Sequence, residues 1–203
     1  MKEIINKSLK NSLTYQEFRD LVGQLLTENK STGHIQSEAL TGYSLLNDRR
    51  MKRLDKTIKI SDETATVINS ITEPQTWLVI AEGWCGDAAQ NLPVINKIAT
   101  LNTLINFKIV LRDENDDLMN LFLTNGGKSI PKLIALDKDN NVINTWGPRP
   151  SIATKMVADY KTIHGVLDAQ FKQDLQVWYN KNKGQSLQQD FVKLVKSFES
   201  KEV

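Results

Sequence analysis

The stretch EGWCGDAAQNLP, residues 82–93, contains the only cysteine of the chain, Cys85. It follows an apolar run, TWLVIA at 76–81, that is typical of a buried strand, and it leads into a segment with helical character. A cysteine where a strand turns into a helix lies near free backbone N–H groups and the positive end of the helix dipole, which both stabilise a thiolate. The stretch therefore predicts a reactive Cys85 with a lowered pKa. The alternative is a buried cysteine that acts as a small apolar residue.

Around this stretch, the hydrophobic pattern predicts the order strand, helix, strand, helix, strand, strand, helix. The turn-rich segment 137–141 lies between the last two strands and indicates a β-hairpin. Thr14 and Glu17 have the spacing of a helix capping box, and Ser61 is placed to cap a further helix. The predicted strands are 76–81, 107–111, 132–136 and 142–146, and one helical apolar stripe near the C-terminus is Leu167, Phe171, Leu175 and Trp178.

Composition excludes several classes of protein. The chain has 203 residues, 40% of them hydrophobic, and a net charge of +2, which gives no support for nucleic-acid binding. No apolar run approaches the length of a membrane span, and the N-terminus lacks the apolar core of a secretion signal. One free thiol suits a reducing cytosol. We therefore expect a soluble cytoplasmic protein that binds neither nucleic acid nor membrane, and we expect the basic cluster at 49–56 to be a solvated helix face.

We expect no metal ion and no cofactor. His34 and His164 are far apart in the sequence, and the single cysteine gives no spacing of metal ligands. The turn at 137–141 begins like a calcium loop, but Val142 stands where such a loop requires a glycine.

Four features at fitting spacings resemble the thioredoxin superfamily. The run Trp-Cys-Gly at 84–86 looks like the start of the thioredoxin active site, and Pro93, eight residues after Cys85, matches the proline within its active-site helix. Ser-Ile-Pro at 129–131 precedes a strand and looks like the thioredoxin cis-proline loop. Gly147 follows that proline by sixteen residues, as thioredoxins place a glycine on the same surface.

The resemblance implies an α/β, thioredoxin-like fold, in which a central mixed sheet is flanked by helices, with helical extensions at both ends. We place an N-terminal extension at 1–72, the thioredoxin-like domain at 73–165, and C-terminal helices packed on the same core at 166–203. The resemblance also implies a cis peptide bond between Ile130 and Pro131.

Three departures put dithiol reduction in doubt. Ala88 stands where thioredoxins have the second, resolving cysteine, and Asp87 replaces the active-site proline. Val79, six residues before Cys85, stands where thioredoxins keep a buried aspartate that moves a proton to the second cysteine. The loss of that acid is consistent with the loss of the thiol it serves.

Nine residues are candidates for the site, some through the resemblance and others, such as Asp87 and Arg149, through their charge and position. Asp87 either complements the helix dipole or acts on the proton balance of Cys85, opposing the thiolate or passing a proton to a leaving thiol. Trp146 is either part of an apolar rim around the sulfur or ordinary sheet core. Arg149 either stabilises the thiolate, binds a carboxylate of a small thiol, or has a helix-capping or salt-bridge role. The expected catalytic residues are Cys85, Asp87 and Pro131, and the expected substrate-binding residues are Trp84, Gly86, Ile130, Trp146, Gly147 and Arg149.

The function that follows is thiol–disulfide exchange through a single cysteine. Cys85 would form a mixed disulfide that an external thiol resolves, so the expected partners are protein disulfides or a low-molecular-weight thiol. The alternative is a redox-inactive thioredoxin-like binding module or adaptor. The sequence does not decide between the two, and it leaves the oligomeric state open.

Overall fold

The computed structural model describes residues 1–199. Within them a four-stranded sheet is surrounded by helices, in the predicted order of elements. The strands are β1 (Gln75–Ala81), β2 (Ile105–Leu111), β3 (Lys132–Leu136) and β4 (Val142–Trp146). The helices are α1 (Lys2–Lys10), α2 (Tyr15–Thr27), α3 (Glu38–Thr57), α4 (Asp62–Asn69), α5 (Gly86–Ala99), α6 (Asp116–Leu121), α7 (Ser151–His164), α8 (Ala169–Asn182) and α9 (Gln185–Glu199), with a 3₁₀ turn at Arg112–Glu114.

The sheet is mixed, with the strand order β2–β1–β3–β4. β1 and β2 run parallel, whereas β1 with β3 and β3 with β4 are antiparallel. β1 is central and buried along almost its whole length, which explains its continuous apolar sequence. The thioredoxin-like fold with a mixed central sheet and additional helices is therefore confirmed.

The register of the sheet brings three of the four sequence features to one edge, while the fourth, Pro93, lies within α5. Ile80 pairs with Lys132, so the chain leaving β1 toward Cys85 meets the chain entering β3 from Pro131. Leu133 pairs with Trp146, which places the residue after Trp146 opposite the same loop. Because antiparallel neighbours bring the end of one strand beside the start of the next, segments far apart in sequence converge at the sulfur.

One apolar core crosses the boundaries expected from the sequence. Phe18 of α2, Met51 of α3 and Phe191 of α9 are all fully buried in the cluster that contains the sheet. The N-terminal helices and α9 are thus integral parts of the fold. The predicted C-terminal segment 166–203 extends four residues beyond those described.

Helix α8 does not join that core. Its buried residues form a second, smaller cluster with α7, contrary to the expectation that the C-terminal helices pack together on the main core. The cluster consists of Ala153 and Val157 of α7 and Phe171, Leu175 and Tyr179 of α8. The predicted stripe of Leu167, Phe171, Leu175 and Trp178 is confirmed, with Leu167 and Trp178 partly buried against this cluster, and Tyr179 is a further buried residue that the stripe did not include. The buried residues of α8, Phe171, Leu175 and Tyr179, follow the spacing i, i+4, i+8 of one helix face.

The predicted helix caps are confirmed. Thr14 and Glu17 form a reciprocal capping box at the start of α2, and the Ser61 hydroxyl accepts a hydrogen bond from the N–H of Thr64 at the start of α4. Leu13 additionally pairs with Ile109 through two backbone hydrogen bonds, 2.7 and 2.8 Å long, and so covers the free edge of β2. In the described part of the chain, no helix is both long and apolar enough to cross a membrane.

Candidate active site around Cys85

Cys85 is the N-cap residue of α5. Its Sγ accepts a hydrogen bond from the backbone N–H of Ala88 at 3.4 Å, as the sequence position predicts for a residue that precedes a helix. On its other side, the thiol donates to the carbonyl oxygen of Ile130, also at 3.4 Å. The Ile130–Pro131 peptide bond is cis, the geometry that the resemblance implies, and the Gly147–Pro148 bond is cis as well. The sulfur therefore lies between the start of α5 and the loop that carries Pro131.

The expectation of a lowered thiol pKa is wrong for this arrangement. Cys85 is only 9% exposed, and burial raises the pKa of its thiol to about 12. The nearby Asp87 carboxylate raises it further, while the N–H groups of Ala88 and Asp87 and the Arg149 guanidinium lower it by less. The helix N-terminus does act on the sulfur, but desolvation outweighs it.

Asp87 is part of a buried hydrogen-bonded network. Its carboxylate forms a salt bridge of 2.7 Å with Arg149 and accepts a hydrogen bond of 2.9 Å from the hydroxyl of Tyr179. The Asn91 amide donates to the backbone oxygen of Asp87 and to the Tyr179 hydroxyl. Burial raises the pKa of the Asp87 carboxyl, and Arg149 and Tyr179 partly offset that shift. Arg149 thus forms a salt bridge, one of the roles considered for it, and its charge also lowers the pKa of the Cys85 thiol.

Four of the expected site residues are largely inaccessible to solvent. These are the buried Ile130, Pro131 and Trp146 and the half-buried Gly147. Of the two positions considered for Trp146, the structure has it in the sheet core. Its ring packs edge-on against Phe191 at 5.6 Å, and its Nε1–H donates to Asp190.

Gly147 has no room for a side chain. Its φ is +117°, and a Cβ atom there would overlap the carbonyl oxygen of Pro131. We expect Gly147→Ala to lower the free energy of unfolding by about 3 kcal/mol, because it adds backbone strain to a clash with main-chain atoms. Gly126→Ala is the control, since Gly126 also has a positive φ, +76°, but nothing lies within 4 Å of the added atom. Urea unfolding measures both, and equal losses would contradict the steric argument.

The accessible part of the site consists of Trp84 and Gly86, which are both partly exposed on either side of the buried Cys85. The guanidinium of Arg112 lies over the Trp84 ring, 4.7 Å from its centre. A Cβ atom on Gly86 would lie 3.4 Å from Nε2 of Gln176 and 3.7 Å from Nη1 of Arg50. Helices α8 and α3 thus flank the loop from two sides.

Sequence reasoning missed the residues that cover the site. Gln176 accepts a hydrogen bond of 2.9 Å from Gln90 of α5, and Tyr179 binds Asp87 as described above. From α3, the Asn47 amide donates to the carbonyl of Gly83 at 3.0 Å. The i+4 spacing from Leu175 is a signal for the burial of Tyr179, but no local pattern indicates its partner.

The described residues contain no group of three or more His, Cys, Asp or Glu side chains arranged to hold a metal ion. Glu82, just before the active-site loop, is fully buried and accepts a hydrogen bond of 3.0 Å from the backbone N–H of Asp113. Burial raises the pKa of its carboxyl. The hydrogen bond between Glu82 and Asp113 connects the end of β1 to the turn after β2.

A family model described as Thioredoxin matches residues 33–161, more than half of the chain. A search of the curated proteins found no significant match. Among solved structures, a protein of unknown function from Pseudomonas aeruginosa superposes with a TM-score of 0.56 and 15% identity, over 91% of this chain and 98% of that one. An HIV epitope scaffold superposes with a TM-score of 0.54 and 17% identity, over 91% and 99%. These two likenesses concern the fold alone.

A domain of alkylhydroperoxide reductase AhpF from Enterococcus faecalis aligns with 53% of this chain and 54% of its own, at 18% identity. Its TM-score of 0.38 is too low for this likeness to support a functional argument.

Proposed function

This chain belongs to the thioredoxin family, and on that basis we propose that it catalyses thiol–disulfide exchange through its single cysteine, Cys85. The observation that supports this most is the position of the sulfur. It lies within hydrogen-bond distance of the first turn of α5 on one side and of the Ile130 carbonyl beside Pro131 on the other. An incoming disulfide that reaches this point meets a nucleophile with helix N–H groups behind it.

The exchange has two balanced steps. In the first, the thiol of Cys85 loses its proton, Sγ attacks one sulfur of the substrate disulfide, and that S–S bond breaks. A mixed disulfide forms on Cys85, and the departing thiolate takes up a proton. In the second, the sulfur of an external thiol attacks the substrate sulfur of the mixed disulfide and forms a new disulfide with it, and Cys85 leaves as a thiolate that takes up a proton. An external thiol is needed because Ala88 stands where a resolving cysteine would be.

The covered site keeps the basal reactivity low. Thiolate formation is opposed by burial and by Asp87, and the cover is held by side chains of α8. Substrates of the proposed reaction are protein disulfides or disulfides of a low-molecular-weight thiol in a reducing cytosol.

A second candidate is a redox-inactive binding module. The observation that favours it is the burial of Cys85 together with the raised pKa of its thiol. The thioredoxin-like surface and the added helices would then serve only to bind a partner.

Turnover of a mixed disulfide distinguishes the two candidates. With the mixed disulfide of glutathione and a reporter thiol, plus free glutathione, we expect the natural protein to release the reporter at least about tenfold faster than Cys85→Ser. Mass spectrometry should find glutathione attached to Cys85 before free thiol is added. Equal release rates for the two proteins, without an adduct, would favour the binding module.

A further inference from the structure

The loop around Cys85 is bordered by arginines that differ in whether their charge is compensated. Arg149 is paired with Asp87 at 2.7 Å, with both side chains largely buried. Arg112, which lies over Trp84, is paired with Asp113 at 2.7 Å. Both guanidinium groups thus already have a carboxylate, and each is held in a structural role.

Three arginines of α3 have no carboxylate partner among the described residues: Arg49, which is exposed, and Arg50 and Arg53, which form hydrogen bonds with side-chain amides. Arg50 donates to the amide oxygen of Asn47 at 2.8 Å, and Arg53 donates to the amide oxygen of Asn180 at 2.7 Å. Among the described residues, neither forms an ion pair with a carboxylate, although Arg50 is half-buried and lies beside Gly86. Arg50 therefore leaves an uncompensated positive charge beside Gly86, and Arg53, three residues further along α3, adds a second one next to α8.

Their proximity has an energetic cost that an anion would relieve. Burial and the neighbouring Arg53 lower the pKa of the Arg50 guanidinium, because like charges disfavour each other in a partly desolvated place. Guanidinium groups bind carboxylates through two parallel hydrogen bonds, and they are more weakly hydrated than ammonium groups. A carboxylate placed between α3 and Gly86 would compensate the charge of Arg50 and offset its repulsion with Arg53.

We propose that Arg50 and Arg53 bind a carboxylate of the substrate, and that the substrate is the disulfide of a small, carboxylate-bearing thiol. This inference rests on the proposed function, since it names the class of disulfide that Cys85 attacks. It revises the expectation that the basic cluster of α3 is only a solvated face. Lys52 of that cluster, by contrast, is paired with Asp48 and needs no ligand.

A small substrate fits the access to the sulfur. Cys85 is 9% exposed, and of its neighbours in the chain only Trp84 and Gly86 present accessible surface. Gln176 and Arg50 border Gly86 from α8 and α3. Because these helices flank Gly86, the space beside it suits a short flexible disulfide better than a disulfide within a folded protein.

In the bound complex, the carboxylate lies on Arg50 and Arg53 while a sulfur of the substrate approaches Sγ of Cys85. The S–S bond of the substrate then breaks as the new bond to Cys85 forms. The released small thiolate takes up a proton from the solvent, and a second small thiol resolves the mixed disulfide. Each disulfide bond that breaks is replaced by another disulfide bond, so the exchange requires no further oxidant or reductant.

The test compares two small disulfides that differ in charge. Dithiobis(nitrobenzoate) carries two carboxylates and dithiodipyridine carries none, and both release a coloured thiol. We measure the ratio of their second-order rate constants with Cys85. Because the same thiolate attacks both reagents, a change in the pKa of Cys85 cancels in this ratio, which reports only the charge preference for the substrate.

We expect the double variant Arg50→Gln, Arg53→Gln to lower this ratio about tenfold, and we expect salt at about 0.5 M to reduce that difference. Arg49→Gln removes an equal charge from an exposed position of the same helix and should change the ratio less than about twofold. The double lysine variant should keep part of the preference, because it retains the charge but not the planar fork. Thermal unfolding of each variant establishes that it is folded.

Three results would overturn the proposal. An unchanged ratio in the glutamine variant, with both reagents still reacting, rejects the carboxylate site and leaves the exchange reaction intact. A faster reaction with the disulfides of insulin than with the anionic reagent rejects the small substrate. No reaction of Cys85 with either reagent, in any variant, rejects both this proposal and the proposed function.

Discussion

Iodoacetamide will alkylate Cys85 in the native protein at neutral pH at least about a hundredfold more slowly than it alkylates a free cysteine. The pKa of the Cys85 thiol is raised to about 12 by burial and by Asp87. Compared with an ordinary pKa near 8.5, the thiolate fraction at neutral pH falls about 3000-fold. A thiolate of higher pKa is a better nucleophile, which returns about 30-fold of that loss. Burial of the sulfur slows the reaction further.

The pH dependence checks the cause. The thiolate is the reacting form, so the rate should rise about tenfold for each pH unit and show no inflection near 8.5 as long as the fold persists. The same protein unfolded in urea should react like a free cysteine, with an inflection near 8.5. A native inflection at or below about 8.5 would show that the sulfur is exposed or that the helix N-terminus dominates after all.

Asp87→Asn will make Cys85 more reactive and the protein less stable. The carboxylate raises the pKa of the Cys85 thiol, whereas Arg149 lowers it. Without the negative charge, Arg149 acts on the sulfur alone, so we expect about tenfold faster alkylation at neutral pH. The same change leaves Arg149 largely buried without its counter-ion, and we expect a loss of about 3 kcal/mol in the free energy of unfolding.

Asp190→Asn is the matched control for this prediction. Asp190 accepts hydrogen bonds from Ser151 at the start of α7 and from Nε1 of Trp146, but it forms no ion pair among the described residues. Its neutralisation should cost about 1 kcal/mol or less and leave the alkylation rate within about twofold. Alkylation rates measure the reactivity of Cys85, and urea unfolding curves measure the stability, of the natural protein and the two variants. If Asp87→Asn alkylates more slowly than the natural protein, the carboxylate does not oppose the thiolate.

Much of the fold follows from patterns with short range in the sequence. The apolar run of β1, the hairpin around 137–141 and the caps at Thr14 and Ser61 each depend on the residues beside them. Such signals survive because propensity, turn chemistry and capping act over a few residues. The placement of α9 in the core and of α8 outside it could not be predicted this way, since both helices have apolar stripes of similar spacing.

The candidate site also has parts that the sequence predicts and parts that it does not. The sequence predicts that Cys85 precedes a helix, and the resemblance brings Ile130 and Pro131 to it, both as found in the structure. It does not predict that Tyr179 and Gln176 cover the loop, because those contacts join residues about ninety positions apart in the chain.

By itself, then, the sequence determined the order of the strands and helices and the place of Cys85 at a helix start, since both depend on local periodicity and on spacing between a few marked residues. Only the tertiary structure decided the protonation state of that cysteine and the surroundings of Arg50. A pKa depends on desolvation and on charges brought near by distant segments. The helix start favours the thiolate in any sequence of this kind, but burial of the sulfur and the charge of Asp87 reverse the balance here.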